Sequence, residues 1–248
     1  MSVTDGMRAL LSGRSALRAC LTATVVLGLT MLAVWPRGTL EAAIRTGQAS
    51  DTFTVVGICF LLILLYLGAR FGSEDLAPDT EPRLHELATL TRVSLVRLVL
   101  SRVAVDALHT AVLLLLGAPM LVASMTVGGV RFEQVCAALA LAGSACLAAR
   151  AWGLLGLALA GARRPLRNLV ASAGIVTTAV AAFFFVPGAS AFRAMADLPR
   201  GSQSAAAWRA GTGAGLATAF VLAAAAVGVL AASRACARRR AANGAVHA

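Results

Sequence analysis

Long apolar runs alternate with short polar ones along the whole chain. A hydrocarbon layer of ~30 Å needs about 20 helical residues at ~1.5 Å each. Six runs reach or nearly reach that length, at about 16–35, 53–69, 103–127, 135–160, 168–186 and 211–232. The pattern predicts an all-α polytopic membrane protein, with six transmembrane helices in a single transmembrane domain over residues 1–248. The first run has basic residues before it, as a signal peptide does. Its length and the poor cleavage site at Trp35-Pro36-Arg37 read as a retained span.

Composition removes the soluble alternative. Of the 248 residues, 59% are apolar and 13% charged, against about 25% charged in an ordinary soluble domain. The net charge is +11, and all 22 basic residues are arginines. They form no single stripe of the kind that grips nucleic acid. They cluster between apolar runs instead, 15 on one side of the expected membrane and 6 on the other, with Arg150 inside a span. The arginine-rich side is read as cytoplasmic. That places both termini in the cytoplasm and the chain in the inner membrane, as a multi-pass protein. Trp35, Phe183 to Phe185 and Trp208 fall at the expected outer ends of their spans, where amphipathic rings favour the interface.

Absent chemistry narrows the function. With no lysine there is no Walker A motif and no Schiff-base residue. If ATP is used, another chain binds it. Cys20, Cys59, Cys136, Cys146 and Cys236 have no CxxC spacing and read as small packing residues, with no disulfide or metal site expected. His85, His109 and His247 lie far apart, and neither HExxH nor GxSxG occurs. The chain is therefore not expected to be an enzyme or to bind a cofactor.

Three segments are not simple spans. Residues 7–17 mix arginines with apolar residues and are expected along the inner surface. Residues 187–206 form a long outer connection, apolar enough to dip back into the membrane. The third segment, 71–102, begins acidic, with Glu74, Asp75, Asp79 and Glu81, followed by Pro82. Proline suits a first helical turn, and acidic residues there favour the helix dipole. Leu84, Leu87, Ala88, Leu95 and Leu98 then recur at helical spacing, with Arg83, Glu86 and Arg92 on the polar side. The expectation is an amphipathic cytoplasmic helix between spans two and three, turning into span three.

This stretch resembles the permease subunits of type-two ATP-binding-cassette (ABC) exporters. His85-Glu86 stands where those permeases commonly have Leu-Glu. Leu87 to Leu90 is the apolar run, Thr91 matches, Val93-Ser94 fits the turn, and Leu98 to Leu100 fits the following apolar stretch. Arg92 replaces a proline, and Ser101-Arg102 replaces Gly-Lys while keeping the charge. The layout continues with Pro119 interrupting span three, an outer turn at Gly128-Gly129-Val130, Glu133-Gln134 opening span four, and Gly153 and Gly156 before a basic inner loop. The resemblance implies half of an export path. It implies segment 82–102 docking on a separate ABC ATPase that carries ATP and Mg, with Arg83, Glu86, Arg92 and Ser94 as the coupling surface. A second permease, identical or related, is implied as well, with membrane lipids around the pair. Two rivals remain: a non-transporting assembly or anchoring protein and, less favoured, an integral membrane enzyme.

Ionisable residues inside spans are costly and are functional candidates by default. Asp106, His109 and Arg150 qualify. Asp106 has Arg102 four residues before it, which suggests an i, i+4 pair. His109 suits a neutral hydrogen-bonding core residue. Arg150 has two readings. It contacts an anionic substrate or a partner carboxylate from within a long span four, or span four ends near it. Gly211 and Gly215 have the small-xxx-small spacing of a helix-packing face, in a chain where small residues are common anyway.

Overall fold

A computed structural model describes residues 14–36, 48–73, 94–126, 130–161, 163–200 and 204–246. Every regular element among them is helical: α1 (Arg14–Val34), α2 (Gln48–Ser73), α3 (Leu95–Thr126), α4 (Phe132–Ala160), α5 (Arg164–Phe185), α6 (Ala191–Asp197) and α7 (Ser204–Val246). The protein is an all-α polytopic membrane protein. Five helices, α2, α3, α4, α5 and α7, are long and apolar enough to cross a bilayer. The first expected span lies in α1, whose apolar stretch Arg18–Val34 is shorter. The segment 74–93, which contains Arg83, Glu86 and Arg92, lies outside the described residues, as do residues 127–129 of the expected outer turn.

Local chemistry sets the helix ends. Asp51 in the first turn of α2 and Arg70 in its last turn both favour the helix dipole. At the start of α4, the Arg131 N–H donates to Gln134 Oε1 at 2.7 Å, satisfying one of the orphan groups of a first turn. Gly161, at φ 53°, ends α4 with its N–H on the Leu157 carbonyl at 3.0 Å. Pro165 then sits in the first turn of α5. Pro119 does not interrupt span three: α3 continues through it to Thr126. Side-chain hydroxyls along the helices, Thr22, Thr30 and Thr110 among them, bond the carbonyl one turn back, which satisfies them without water.

Contacts between helices fix their directions. Gly68 meets Cys146 and Ala149, and Gly72 meets Arg150, so α2 and α4 run parallel. Asp106 pairs with Arg150 and Thr110 approaches Cys146, so α3 runs antiparallel to both. Thr30 lies against Cys59 and Thr52 bonds the Val34 carbonyl, making α1 antiparallel to α2. Gly156 meets Arg167 and Trp152 bonds Thr178, so α5 is antiparallel to α4. Gly211 meets Leu141 and Gly215 meets Ser144, so α7 is parallel to α4. The six long helices thus alternate. Arg18, Arg70, Arg97, Arg163, Arg164, Arg234 and Arg239 fall toward one end of the bundle, and Arg131, Arg193 and Arg209 toward the other.

Helix α4 is the centre. It packs against α2, α3, α5 and α7, and is buried from Leu141 to Cys146 without a break. Lipid tails give helices no hydrophobic reason to associate, so close backbone packing through small residues has to do it. A methyl placed on Gly72 would lie 2.5 Å from the Arg150 carbonyl oxygen, and one on Gly153 would lie 2.5 Å from the Ser73 nitrogen. The glycine pair on α7 works the same way. A methyl on Gly211 would meet Leu141 at 2.9 Å and one on Gly215 would meet Ser144 at 2.8 Å, while one on Gly213 meets nothing within 4 Å.

The connection from α5 to α7 folds over the less basic end. It comprises a short 3-10 turn at Pro187–Ala189, then α6, then a second turn at Leu198–Arg200. Ser190 caps α6, accepting from the Arg193 N–H at 3.4 Å. Met195 is fully buried and lies against Gly57 of α2, and Gln134 Nε2 of α4 donates to the Leu198 carbonyl at 2.6 Å. The segment is a packed plug on α2, α4 and α7.

Candidate functional site

Of the five Arg, Asp and His side chains buried among the described residues, all but Arg167 of α5 converge on the packing of α2, α3 and α4. Arg102, Asp106 and His109 stand on successive turns of one α3 face, and Arg150 projects from α4. All four are buried, His109 at 0% exposure and Arg150 at 1%. Arg150 bridges two α3 side chains. Its Nη1 donates to Asp106 Oδ1 at 2.7 Å, and its Nη2 lies 2.6 Å from His109 Nδ1. Arg102 Nε donates to the other carboxylate oxygen at a longer 3.4 Å, and Arg102 Nη2 donates to the Phe71 carbonyl at 2.8 Å.

Arginine fixes the histidine's tautomer. A guanidinium has only protons to offer. Nδ1 of His109 therefore accepts, and the ring's own proton is on Nε2. That nitrogen and Nε of Arg150 are buried without a hydrogen-bond partner among the described residues. The Phe71 ring stands edge-on to the imidazole, with centroids 5.0 Å apart, and its centroid is 6.0 Å from the Arg150 guanidinium carbon.

Two guanidiniums share the Asp106 carboxylate. The α2 terminus supplies a further acceptor, the Phe71 carbonyl. Phe71 lies in the last turn of α2, whose final carbonyls lack intrahelical partners and carry partial negative charge. Arg102 thus caps α2 from a neighbouring helix while also holding Asp106. The network ties three helices together at a depth where each ionised group alone would cost about 2.5–3.5 kcal/mol. Arg150 is 10 residues before the end of α4, or ~15 Å, and Asp106 is 11 residues into α3, or ~17 Å.

Each residue singled out from the sequence now has a position. Helix α4 runs past Arg150 to Ala160, so of the two readings the long helix is what the backbone adopts. The carboxylate that meets Arg150 belongs to the same chain. Asp106 does pair with Arg102, but its shorter bond is to Arg150. His109 is a hydrogen-bonding core residue. Ser94 is exposed, and its carbonyl accepts from the Leu98 N–H at the start of α3. The structure does not bring Ser94 to the buried network, and Arg83, Glu86 and Arg92 are outside the described residues. Phe71 was not visible as a participant, because a backbone carbonyl leaves no signature in sequence.

Chemically the network is an electrostatic clamp. Among the described residues no group of three His, Cys, Asp or Glu side chains could hold a metal ion. The groove between α1, α2 and α3, walled by Leu27, Phe60, Leu64 and Leu113, has no charged side chain. No protein family, curated protein or solved structure matches the chain.

Proposed function

We propose that the chain is the membrane-spanning permease subunit of an ABC exporter. It supplies half of the translocation path in the inner membrane. Both termini and the basic end of the bundle face the cytoplasm, in accord with the positive-inside rule. ATP and Mg belong to a separate ATPase subunit, and a second permease completes the path.

The observation that carries this reading is the continuity between the coupling segment and the clamp. The permease-like pattern His85 to Arg102 runs directly into α3, which begins at Leu95. Arg102, the last residue of that pattern, is a member of the buried network. A subunit gripping Arg83, Glu86, Arg92 and Ser94 would pull on the helix that carries Asp106 and His109. Force applied at Ser94, the residue before α3, thus reaches those charges along one helix.

Glu86→Arg and Arg92→Glu test the reading in the chain co-expressed with an ABC ATPase, sought first among the neighbouring genes. Both variants are expected to insert at wild-type levels while ATP-driven export and ATPase capture fall at least ~10-fold, the loss expected when a charge-complementary contact worth about 1.4 kcal/mol or more is reversed. Capture of the ATPase by both variants at wild-type levels, or a chain that purifies alone with no such partner, contradicts it.

A further inference from the structure

We propose that the basic end of the bundle is a binding surface for anionic phospholipids, densest at Arg163 and Arg164. The surface stands whether or not the chain is an exporter subunit.

The two ends of the bundle differ in charge balance. At the end where α2 and α4 begin, the exposed arginines Arg131, Arg193 and Arg209 are matched by the exposed carboxylates Asp51, Glu133 and Asp197. At the opposite end Arg18, Arg97, Arg163, Arg164 and Arg239 are exposed, carried by α1, α3, the start of α5, and α7. Among the described residues no carboxylate is exposed there. The remaining one, Asp106, is buried between Arg102 and Arg150.

The helix starts follow the same division. Helices α2 and α4 open with Asp51 and Glu133, which suit the positive end of a helix dipole. Helices α1, α3 and α5 open at the basic end with no acidic residue in the first turn. Arg97 and Arg164 stand in those first turns of α3 and α5 instead. The dipoles there add to the arginine charge rather than offset it.

Hydrocarbon beside the arginines selects the kind of anion. Leu21 and Val25 follow Arg18, Val96 and Leu100 flank Arg97, and Leu166 and Leu169 follow Arg164, all of them exposed. Helix α5 has 22 residues, or ~33 Å, so Arg164 and Phe185 stand at the two faces of a hydrocarbon layer ~30 Å thick. The arginines therefore lie at headgroup level with acyl tails directly below them. A soluble anion satisfies the charge and leaves the adjoining apolar surface unmatched. A phospholipid of net negative charge satisfies both, and its phosphate fits the guanidinium fork. At the other end Phe184 and Phe185 are exposed as well, but the charges balance, which suits a zwitterionic headgroup.

The test uses the full chain in phosphatidylcholine bilayers. A trace of tail-spin-labelled phosphatidylglycerol or phosphatidylcholine is added, and electron paramagnetic resonance measures the fraction held at the protein. Wild type is expected to prefer phosphatidylglycerol about 5-fold or more, the effect of about one arginine near a charged headgroup. Replacing Arg18, Arg97, Arg163, Arg164 and Arg239 by glutamine is expected to bring the preference within about 2-fold of unity. Arg163→Gln with Arg164→Gln should account for the largest share of that loss, and these two variants decide alone if the fivefold one fails to insert. Arg131→Gln with Arg209→Gln, at the balanced end, should leave the preference unchanged. No preference in wild type overturns the inference, and so does a preference that survives loss of Arg163 and Arg164 undiminished. Abolition of the preference by inorganic phosphate at matched ionic strength would assign the surface to a free anion and overturn it too. So would a preference seen only after Glu74, Asp75, Asp79 and Glu81 are neutralised, which would give the surface to the chain's own acidic segment.

Discussion

Helices α4 and α5 are adjacent in sequence, and their most apolar windows have similar mean hydropathy, 1.6 and 1.8. Yet 67% of the α4 window is buried against other helices and only 11% of the α5 window. Hydropathy reports that both belong in a bilayer. The difference between them lies in residue size and in charge. The inner faces of α4 are mostly alanine, glycine and serine, which let α2 and α7 come to backbone distance, and Arg150 adds a charge that only a protein interior satisfies. The outward face of α5 carries Leu169, Val176, Val180 and Phe184, all exposed, and only Arg167, Ala171 and Gly174 are buried. Between these two helices, small and charged side chains mark the inner one and exposed large apolar ones the outer.

The comparison is broken hardest by removing its charge. Asp106→Asn removes the carboxylate that Arg150 and Arg102 both contact inside the bundle, and the chain should lose about 3–5 kcal/mol of stability, as when one partner of a buried pair is deleted. Reversible unfolding in mixed micelles measures it. Next come the small residues. Gly153→Ala forces a methyl onto the α2 backbone, which cannot rotate aside, and should cost about 1–3 kcal/mol. Gly215→Ala should act in the same direction. Gly213→Ala, two residues away and facing open space, should instead stabilise α7 by up to about 1 kcal/mol. The smallest effect belongs to α5. Leu169→Ala and Val176→Ala remove side chains that touch little else in the chain, and should stay within about 0.5 kcal/mol of wild type. A larger loss at either position would mean that the α5 face is occupied by a protein partner rather than by lipid.

Much of the architecture was legible because the bilayer imposes a length on apolar runs. The expected spans 135–160 and 168–186 differ from α4 and α5 by a few residues at each end. The boundary error that matters for the site was at span three. It was expected from Val103, but α3 begins at Leu95, because Arg97 and Arg102 are held within the helix rather than in a loop before it. That error hid the site. Counted from Val103, Asp106 is ~5 Å deep and cannot meet an arginine ~15 Å from the end of the neighbouring span. Counted from Leu95, the two depths agree. The small-xxx-small spacing at Gly211 and Gly215 was ambiguous in an alanine-rich chain. Only the register against Leu141 and Ser144 distinguishes those glycines from Gly213 between them.

The central claim is that α3 and α4 are held together by a charge pair within one chain. A double-mutant cycle on Asp106 and Arg150 tests it most directly, comparing Asp106→Asn, Arg150→Gln and the double variant by unfolding free energy. The account predicts that the double variant costs less than the sum of the single ones, with a coupling of about 1–3 kcal/mol. Additivity within about 0.5 kcal/mol would mean that the two side chains do not depend on each other, and would contradict it.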